Sequence, residues 1–330
     1  MAGIGVALIG AGRIGRIHGG NVAAHPGARL VAVADADHAA AEGMALAYRA
    51  RVAAVEDAIA AADVDAVMIC SPTDTHADLI EAAARAGKAI FCEKPVDLDA
   101  GRIRGCLAVV AAAGVPLMIG FNRRFDPSFA RLKQRLDDGA AGAIELVTII
   151  SKDPSPPPVS YIARSGGLFR DMMIHDLDLA RHLLGEEPVE VHAVGAALVD
   201  PAIGAAGDVD TAAVMLKTAF GRIATITNSR RATYGYDQRI EVHGSAGLVR
   251  ADNRRETTVE EADASGFRVE PALPFFLERY AEAYRRELAH FLDAVSEGRA
   301  PSPTGEDGLR AQLLADAATE ACRTGRPVRL

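Results

Sequence analysis

The sequence has few cysteines, and their spacing excludes two classes of small protein. Only four of the 330 residues are cysteine, and none of them forms a CxxC pair. Cys70 and Cys92 lie in apolar runs, where a buried thiol behaves as a small hydrophobic side chain. We therefore expect neither a disulfide scaffold nor a zinc knuckle.

Long hydrophobic runs and a basic leader are also missing. The first apolar run, residues 4–9, is far shorter than a membrane-spanning helix or a secretory signal core, and a glycine turn follows it at once. The sequence therefore predicts a cytoplasmic protein that does not bind membranes.

Basic residues are outnumbered and scattered. Lysine and arginine total 36 against 44 acidic residues, a net charge of −8, and no basic stripe is present to neutralise a run of phosphates. We expect no nucleic-acid partner. Only five of the basic residues are lysines, so a lysine in a distinctive local motif is less readily dismissed as surface filler.

The remaining composition is that of a globular protein with two domains. Hydrophobic residues make up 49% and charged residues 24%, and the length corresponds to roughly two domains of about 150 residues. Up to residue 121, short apolar runs alternate with helical patterns, which predicts an α/β domain over 1–121 with a doubly wound parallel sheet of the Rossmann type. The predicted strands are 4–9, 30–34, 66–69, 89–92 and 116–119, and the predicted helices are 14–24, 39–48, 77–86 and 101–113.

The pattern changes after residue 121. Between 189 and 261 apolar strands follow one another without helices between them, which predicts a large open, mostly antiparallel sheet. Residues 122–330 are therefore expected to form an α+β domain for substrate binding and oligomerisation. Alternation is weak in 209–216 and 222–227, so we expect a second subunit to cover one face of that sheet.

A glycine-rich turn follows the first predicted strand. In Gly10-Ala11-Gly12-Arg13-Ile14-Gly15, the glycines permit a tight turn, close approach of a pyrophosphate, and close packing of the next helix, whose N-terminus faces the phosphates. Asp35 ends the second strand at the spacing expected for a ribose contact. The alternative, a glycine turn without a ligand, explains this combination less well. Asp35 would repel a 2′-phosphate, so NAD is favoured over NADP.

Two further strand ends carry polar residues. Residues 71–76 follow the central strand and include Ser71, Pro72, Thr73 and His76, where open α/β sheets bind ligands. The hydroxyl groups there could instead simply cap the next helix. The next strand ends in Glu93-Lys94-Pro95, where the lysine is well placed for a ligand, although a surface ion pair is an equal alternative.

A polar stripe lies in the predicted helix 167–184. Asp171, His175, Asp178 and His182 recur at helical spacing and would share one face. A histidine beside a carboxylate is the pairing that proton transfer needs. A solvated helix face and a metal site are the alternatives, and the metal is disfavoured because no metal-ligand signature such as HExxH is present.

Together, the glycine turn, Glu93-Lys94-Pro95 and Asp171 with His175 resemble the Gfo/Idh/MocA oxidoreductase family over nearly the whole chain. Residues 120–126, 165–176 and 234–239 are most similar to its inositol dehydrogenases. The resemblance implies NAD-dependent oxidation of a ring hydroxyl of a polyol, in a homotetramer. It implies that His175 is the general base, that Asp171 orients it, and that Lys94 polarises the reacting oxygen.

The resemblance also implies two sets of contacts. The expected cofactor residues are Gly10, Gly12, Arg13, Ile14, Gly15, Asp35, Ser71, Pro72, Thr73, His76, Glu93, Lys94 and Asn122. The expected substrate residues are Lys94, Asn122, Arg123, Asp153, Asp171, His175, Asp178, Tyr236 and Tyr280. No metal is expected.

The resemblance favours a myo-inositol dehydrogenase, and two alternatives remain open. The first is a dehydrogenase of another polyol, such as scyllo-inositol, D-chiro-inositol or an aldose. The loop after the first strand of the second domain carries a histidine in inositol dehydrogenases, whereas this chain has Lys152-Asp153 and the proline-rich run 154–158 there. The second is a sugar-binding protein that keeps the dinucleotide site without turnover. The presence of Lys94, Asp171 and His175 together argues against this second alternative.

Overall fold

The computed structural model describes residues 3–330, apart from the side chain at position 163, and these divide into two compact units. Unit 1 comprises the described residues up to Asn122 together with Ala283–Gln312, and unit 2 comprises Arg123–Glu282 and Leu313–Leu330. The sequence predicted that all of 122–330 would form the second domain. Residues 283–312 instead pack in unit 1, where the rings of Phe291 and Phe91 lie 5.8 Å apart.

Unit 1 is built on a six-stranded parallel sheet, which confirms the predicted Rossmann arrangement. Its elements before Asn122 are β1 (Ile4–Ile9), α1 (Arg13–Ala24), β2 (Ala28–Ala34), α2 (His38–Tyr48), β3 (Arg51–Val52), α3 (Val55–Ala60), β4 (Ala66–Ile69), α4 (His76–Arg85), β5 (Ala89–Glu93), α5 (Ala100–Ala113) and β6 (Leu117–Gly120). The strand order is β3-β2-β1-β4-β5-β6, so β2 and β3 are added on one side of β1 and β4 to β6 on the other. The topological switch point therefore lies between β1 and β4. Ligands of open α/β sheets bind at such a switch point.

Burial explains why the central strands are apolar throughout. Val6, Ala7 and Leu8 of β1 have no exposed surface, because helices cover both faces of a parallel sheet. Two short elements, β3 and α3, were not predicted from the sequence. A strand of two residues is too short to show a periodic pattern.

Unit 2 is built on a seven-stranded mixed sheet. The elements that follow β6, including those that overlap residues 283–312 of unit 1, are α6 (Pro127–Asp137), β7 (Ile144–Lys152), α7 (Val159–Ser165), α8 (Gly167–Asp171), α9 (Ile174–Leu184), β8 (Pro188–Ala196), α10 (Pro201–Ala205), β9 (Thr211–Thr218), β10 (Ile223–Ser229), β11 (Asp237–Gly244), β12 (Gly247–Ala251), β13 (Glu260–Asp263), β14 (Gly266–Val269), α11 (Phe276–Arg279), α12 (Ala281–Glu297), α13 (Gly305–Thr324) and β15 (Val328–Arg329). The sheet order is β12-β11-β7-β10-β9-β8-β15, and β13 and β14 form a separate hairpin.

The sheet of unit 2 is mostly antiparallel, as predicted. Within the described chain, β7 and β10 are its one parallel pair. Along β9 the residues alternate between buried and exposed, with Val214 and Leu216 buried and Met215 43% exposed. The alternation is weak in the sequence because the exposed face itself carries apolar residues such as Met215.

The prediction of one continuous helix over 167–184 is wrong. The chain forms α8 and α9, with a turn at Met172 and Met173 between them. The backbone N–H groups of both methionines donate to the carbonyl of Leu168, which widens the turn and interrupts the helical hydrogen bonds. Asp171 and His175 therefore do not lie on one unbroken helix face.

Across residues 3–330, the helices all fall short of the length and apolarity required to cross a bilayer.

Candidate active site

The turn after β1 requires glycine at two positions. Gly10 has a φ of +100°, and a Cβ there would lie 2.5 Å from the backbone of Cys70. A Cβ on Gly15 would lie 1.8 Å from the carbonyl oxygen of Gly10. Close packing of α1 against the end of β1 is therefore possible only with glycine at both sites.

Gly12 differs, because a Cβ there would meet nothing within 4 Å. It is the N-cap of α1 and, as a glycine, has no side chain that could cap the helix. Arg13 and Ile14 begin the helix, so their backbone N–H groups are among those left without helical partners. Open space beside a helix N-terminus fits the pyrophosphate of a dinucleotide, and these residues would hold it.

Asp35 follows β2 and is partly buried. One carboxylate oxygen accepts a hydrogen bond from the N–H of Asp37 at 2.7 Å, and the other accepts from the N–H of Ala11 in the glycine turn. Asp35 thus fixes the turn as well as lying at the position predicted for a ribose contact. The sequence pattern did not indicate the contact with Ala11.

His76 connects the loops that follow β4 and β5. It is 1% exposed, with Nδ1 2.7 Å from the carbonyl oxygen of Pro95 and Nε2 2.8 Å from that of Ser71. Both ring nitrogens therefore contact backbone carbonyls, and this geometry gives no support to the predicted cofactor contact of His76. Ser71 also pairs its hydroxyl with that of Thr75 at 2.6 Å, in the 3-10 turn Thr73–Thr75 that follows Pro72.

Glu93 ends β5 and contacts a histidine that the sequence pattern did not single out. Its Oε1 lies 2.7 Å from Nε2 of His18, and His18 is fully buried in α1. Lys94 follows and is partly buried. Glu287 of α12 has no exposed surface, and burial, with the charge of Glu93 added, raises the pKa of Glu287 well above its ordinary value. Two carboxyl groups, those of Glu93 and Glu287, therefore influence each other next to the strand end that precedes Lys94.

Asp171 is held by two side chains of unit 2. The hydroxyl of Tyr161 donates to its Oδ1 at 3.1 Å, and Nη2 of Arg230 lies 3.4 Å from its Oδ2. The side chain of Asp171 is 15% exposed. His175 lies in the first turn of α9 and is partly buried. A carboxylate fixed at both oxygens is well suited to orient a neighbouring base.

Asp153 follows β7 and shares Arg230 with Asp171. Its Oδ2 lies 3.9 Å from Nη1 of Arg230. Burial raises the pKa of Asp153 to about 6, although the attraction of Arg230 and Arg123 lowers it. The carboxyl group therefore changes charge near neutral pH.

Arg123 is 4% exposed and pairs with Asp176, which is fully buried. Asn228 also donates to Asp176, at 2.9 Å. Arg123 lies 5.7 Å from the ring centre of Tyr280, and the hydroxyl of Tyr280 donates to Gln238 at 3.1 Å. This network was missed, because Asp176 lies off the predicted stripe.

The tyrosines predicted to bind substrate pack against each other. The rings of Tyr236 and Tyr280 meet edge to face with centres 5.9 Å apart, and they are 5% and 2% exposed. Asp178 is 1% exposed and accepts a hydrogen bond from Nε of Arg124 at 2.8 Å. This pairing fits a structural role for Asp178 better than the predicted substrate contact. Asn122, predicted to touch both ligands, is 3% exposed at the end of unit 1.

The structure thus divides the predicted site residues between the two units. Unit 1 carries the glycine turn, Asp35 and Lys94, and unit 2 carries Asp171 and His175. In the part of the chain that the structure describes, no group of three or more histidine, cysteine or acidic side chains is arranged to hold a metal ion.

Comparison with known proteins matches both halves of the chain. Residues 4–121 match the model of an oxidoreductase family with an NAD-binding Rossmann fold, and residues 129–250 match the GFO/IDH/MocA C-terminal domain. An inositol 2-dehydrogenase of Rhizobium meliloti is 58% identical over 321 residues, which cover 97% of each chain.

Solved structures agree with these matches. A myo-inositol dehydrogenase of Corynebacterium glutamicum is 44% identical with a TM-score of 0.96, over 99% of each chain. A scyllo-inositol dehydrogenase of Lactobacillus casei, solved with NAD(H) and scyllo-inositol, is 32% identical with a TM-score of 0.93, again over 99% of each chain.

Proposed function

The chain belongs to the GFO/IDH/MocA family of NAD-binding oxidoreductases, and on that premise we propose that it is an inositol 2-dehydrogenase. The proposed reaction oxidises the C2 hydroxyl of myo-inositol to the ketone 2-keto-myo-inositol. The hydroxyl proton goes to a protein base, and hydride goes to NAD⁺, which becomes NADH.

One observation carries the choice of substrate. The similarity to the inositol 2-dehydrogenase of Rhizobium meliloti, 58% identity over 97% of the chain, extends through both the cofactor half and the polar interior of unit 2. That interior supplies carboxylate and guanidinium groups, and a polyol needs such donors and acceptors for its many hydroxyls.

NAD, when bound, supplies the hydride acceptor. Open space at Gly12 and the N-terminus of α1 would accommodate its pyrophosphate, and Asp35 would accept hydrogen bonds from its ribose hydroxyls. A negative charge at Asp35 would disfavour the additional phosphate of NADP.

Three residues are proposed to carry the chemistry. His175 takes the hydroxyl proton, since an imidazole is a proton acceptor near neutral pH. Asp171, fixed by Tyr161 and Arg230, orients the imidazole and stabilises the positive charge that it gains. Lys94 stabilises the negative charge that develops on the reacting oxygen as its proton leaves.

The first test measures NADH formation by the purified protein with NAD over a panel of polyols. The panel contains myo-inositol, scyllo-inositol, D-chiro-inositol, glucose, galactose and xylose, and it is repeated with NADP. The highest kcat/KM on myo-inositol with NAD is expected. A higher kcat/KM on another polyol would replace the proposed substrate, and binding of NAD without turnover would favour a sugar-binding protein.

The second test addresses the base. His175→Ala is expected to lower kcat by about 10²–10⁴-fold while leaving the dissociation constant for NAD unchanged. His25→Ala, at a partly exposed histidine between α1 and β2, serves as the matched control and should retain wild-type kcat. Wild-type turnover by the His175 variant would remove the assignment of that residue.

We further propose that the protein is a cytoplasmic homotetramer. The exposed face of the unit 2 sheet carries apolar residues, including Val194 at 68% and Leu248 at 47% exposure, which supports burial against another copy. Light scattering coupled to gel filtration tests this, with a mass of four chains expected. A single-chain mass at micromolar concentration would contradict it.

A further inference from the structure

The polar interior of unit 2 contains more acidic than basic side chains. Asp153, Asp171 and Asp176 face Arg123 and Arg230, so three carboxylates share two positive charges. Asp176 forms a hydrogen-bonded pair with Arg123. Arg230 lies within 4 Å of both of the other acids.

The sheet places Arg230 beside Asp153. Ser229, the last residue of β10, is in register with Lys152, the last residue of the parallel strand β7. The N–H of Asp153 donates to the carbonyl of Ser229 at 2.9 Å, and the N–H of Arg230 donates to the carbonyl of Asp210 at 2.8 Å. Both residues are therefore fixed through their backbones directly after two paired strands.

The guanidinium group of Arg230 is divided between two acids. Its Nη1 lies 3.9 Å from Asp153 and its Nη2 lies 3.4 Å from Asp171, so neither carboxylate makes the two parallel bonds of a bidentate pair. The side chain is 3% exposed, so water offers little compensation. Among residues 3–330, its Nε has no hydrogen-bond partner.

We propose that Arg230 is a positioning residue shared by Asp153 and Asp171, and that through it the charge on each carboxylate depends on the charge on the other. The link between this pair and turnover rests on the proposed function, in which Asp171 orients His175. The link between the two carboxylates does not depend on that function.

Several charged groups act on Asp153. Arg230 and Arg123 favour its ionised form, and Asp171 and Asp176 oppose it. Tyr236, whose pKa is raised well above its ordinary value by burial, stays neutral beside them. Because burial raises the pKa of Asp153 to about 6, the charge of its carboxyl group changes around that pH. Ionised Asp153 competes for Arg230, and this weakens the hold of Arg230 on Asp171.

The direct test is carboxyl ¹³C NMR of aspartate-labelled protein without substrate. The Asp153 signal is assigned by its loss in Asp153→Asn. Arg230→Gln is expected to raise the titration midpoint of Asp153 by at least about one pH unit, because an attractive charge about 4 Å away is removed. Arg230→Lys, which keeps the charge, should restore the midpoint to within about half a unit.

Two further variants make the result decisive. Arg231→Gln alters the next arginine in the chain, which is exposed, and should leave the midpoint unchanged. Asp171→Asn should lower the midpoint, because Arg230 then serves Asp153 alone and one repulsive charge is lost. An unchanged midpoint in either Arg230→Gln or Asp171→Asn overturns the coupling, and the second variant covers the case in which the first fails to fold.

The kinetic consequence is measured separately. In Arg230→Gln the acidic limb of the pH profile of kcat/KM for myo-inositol should move to higher pH, and Arg230→Lys should move it back. A purely structural role would lower activity equally at all pH values and would contradict the proposal. If the wild type oxidises no cyclitol, the proposed function fails, and the NMR titration still decides the coupling of Asp153 and Asp171.

Discussion

The same added methyl group should impair stability at one glycine of the dinucleotide turn and NAD binding at another. In Gly15→Ala the new Cβ would lie 1.8 Å from the carbonyl oxygen of Gly10, a backbone atom that cannot rotate away. In Gly12→Ala the new Cβ would meet no atom within 4 Å, and the φ of −68° suits alanine. The first change therefore strains the fold itself, whereas the second fills space that we assign to the cofactor.

The magnitudes follow from these distances. Overpacking costs typically about 1–3 kcal/mol, and a backbone clash in Gly15→Ala lies at the upper end of that range. At about 2–4 °C per kcal/mol for a cooperative unit of about 150–250 residues, the melting temperature of the protein without NAD should fall by roughly 6–12 °C. Gly12→Ala should leave that temperature within about 2 °C of the wild-type value. It should raise the dissociation constant for NAD about tenfold or more, and tenfold corresponds to about 1.4 kcal/mol.

The assay pairs differential scanning fluorimetry of the NAD-free protein with calorimetric titration of NAD. Gly43→Ala is the control, since Gly43 lies in α2 with open space around it, and it should slightly raise the melting temperature without affecting NAD. Wild-type affinity of Gly12→Ala for NAD would refute the assignment of that space to the pyrophosphate. If the melting temperature of Gly12→Ala fell as far as that of Gly15→Ala, the distinction between the two glycines would be refuted.

Three further predictions concern buried or partly buried charges. Because the pKa of Glu287 is raised, the free energy of unfolding falls as pH rises above the ordinary glutamate pKa, by at most about 1.4 kcal/mol per pH unit. The melting temperature of Glu287→Gln should therefore exceed that of the wild type by an increasing margin between pH 5 and pH 8. Glu297→Gln, on the exposed end of the same helix, should show no such trend, and a pH-independent gap for Glu287→Gln would count against burial as the cause. Asp35→Ala should weaken NAD and improve the relative kcat/KM with NADP, and an unaltered cofactor ratio would remove the ribose contact. Arg123→Met removes the buried positive partner of Asp176 and should lower the free energy of unfolding, measured by chemical denaturation, by about 3–5 kcal/mol. Adding Asp176→Asn to this variant should recover part of that loss, and purely additive effects of the two changes would contradict the pairing.

Local patterns were sufficient to predict the glycine turn of unit 1 and the elements around it, although they missed β3, α3 and the backbone contacts of His76. The turn at Gly10 and Gly15, the helix after it, and Asp35 after the second strand are all defined by neighbours in the sequence. In the structure the same residues contact one another within two adjacent strand ends. Prediction succeeded there because each requirement, a positive φ or a close approach of backbone, acts on a single residue.

Unit 2 was less accessible to prediction because its contacts depend on register. Arg230 had no local signal, since it reaches Asp153 only through the parallel pairing of β7 and β10. The break at Met172 was also missed, because the apolar spacing continues across it and predicts one helix. Residues 283–312 were assigned to the wrong unit for a similar reason. The amphipathic pattern of a helix shows that one face is buried, but it does not show which core that face joins.

The break between α8 and α9 bears on how Asp171 is held. A carboxylate inside a continuous helix is oriented by the helix, but Asp171 is the last residue of a helix of only five. Its orientation depends on Tyr161 and Arg230, whose contacts with it are 3.1 Å and 3.4 Å long. Buried ion pairs rarely gain stability over apolar packing of the same volume. We therefore attribute to Arg230, placed between two acids, control of the charge and position of Asp171 rather than a contribution to folding.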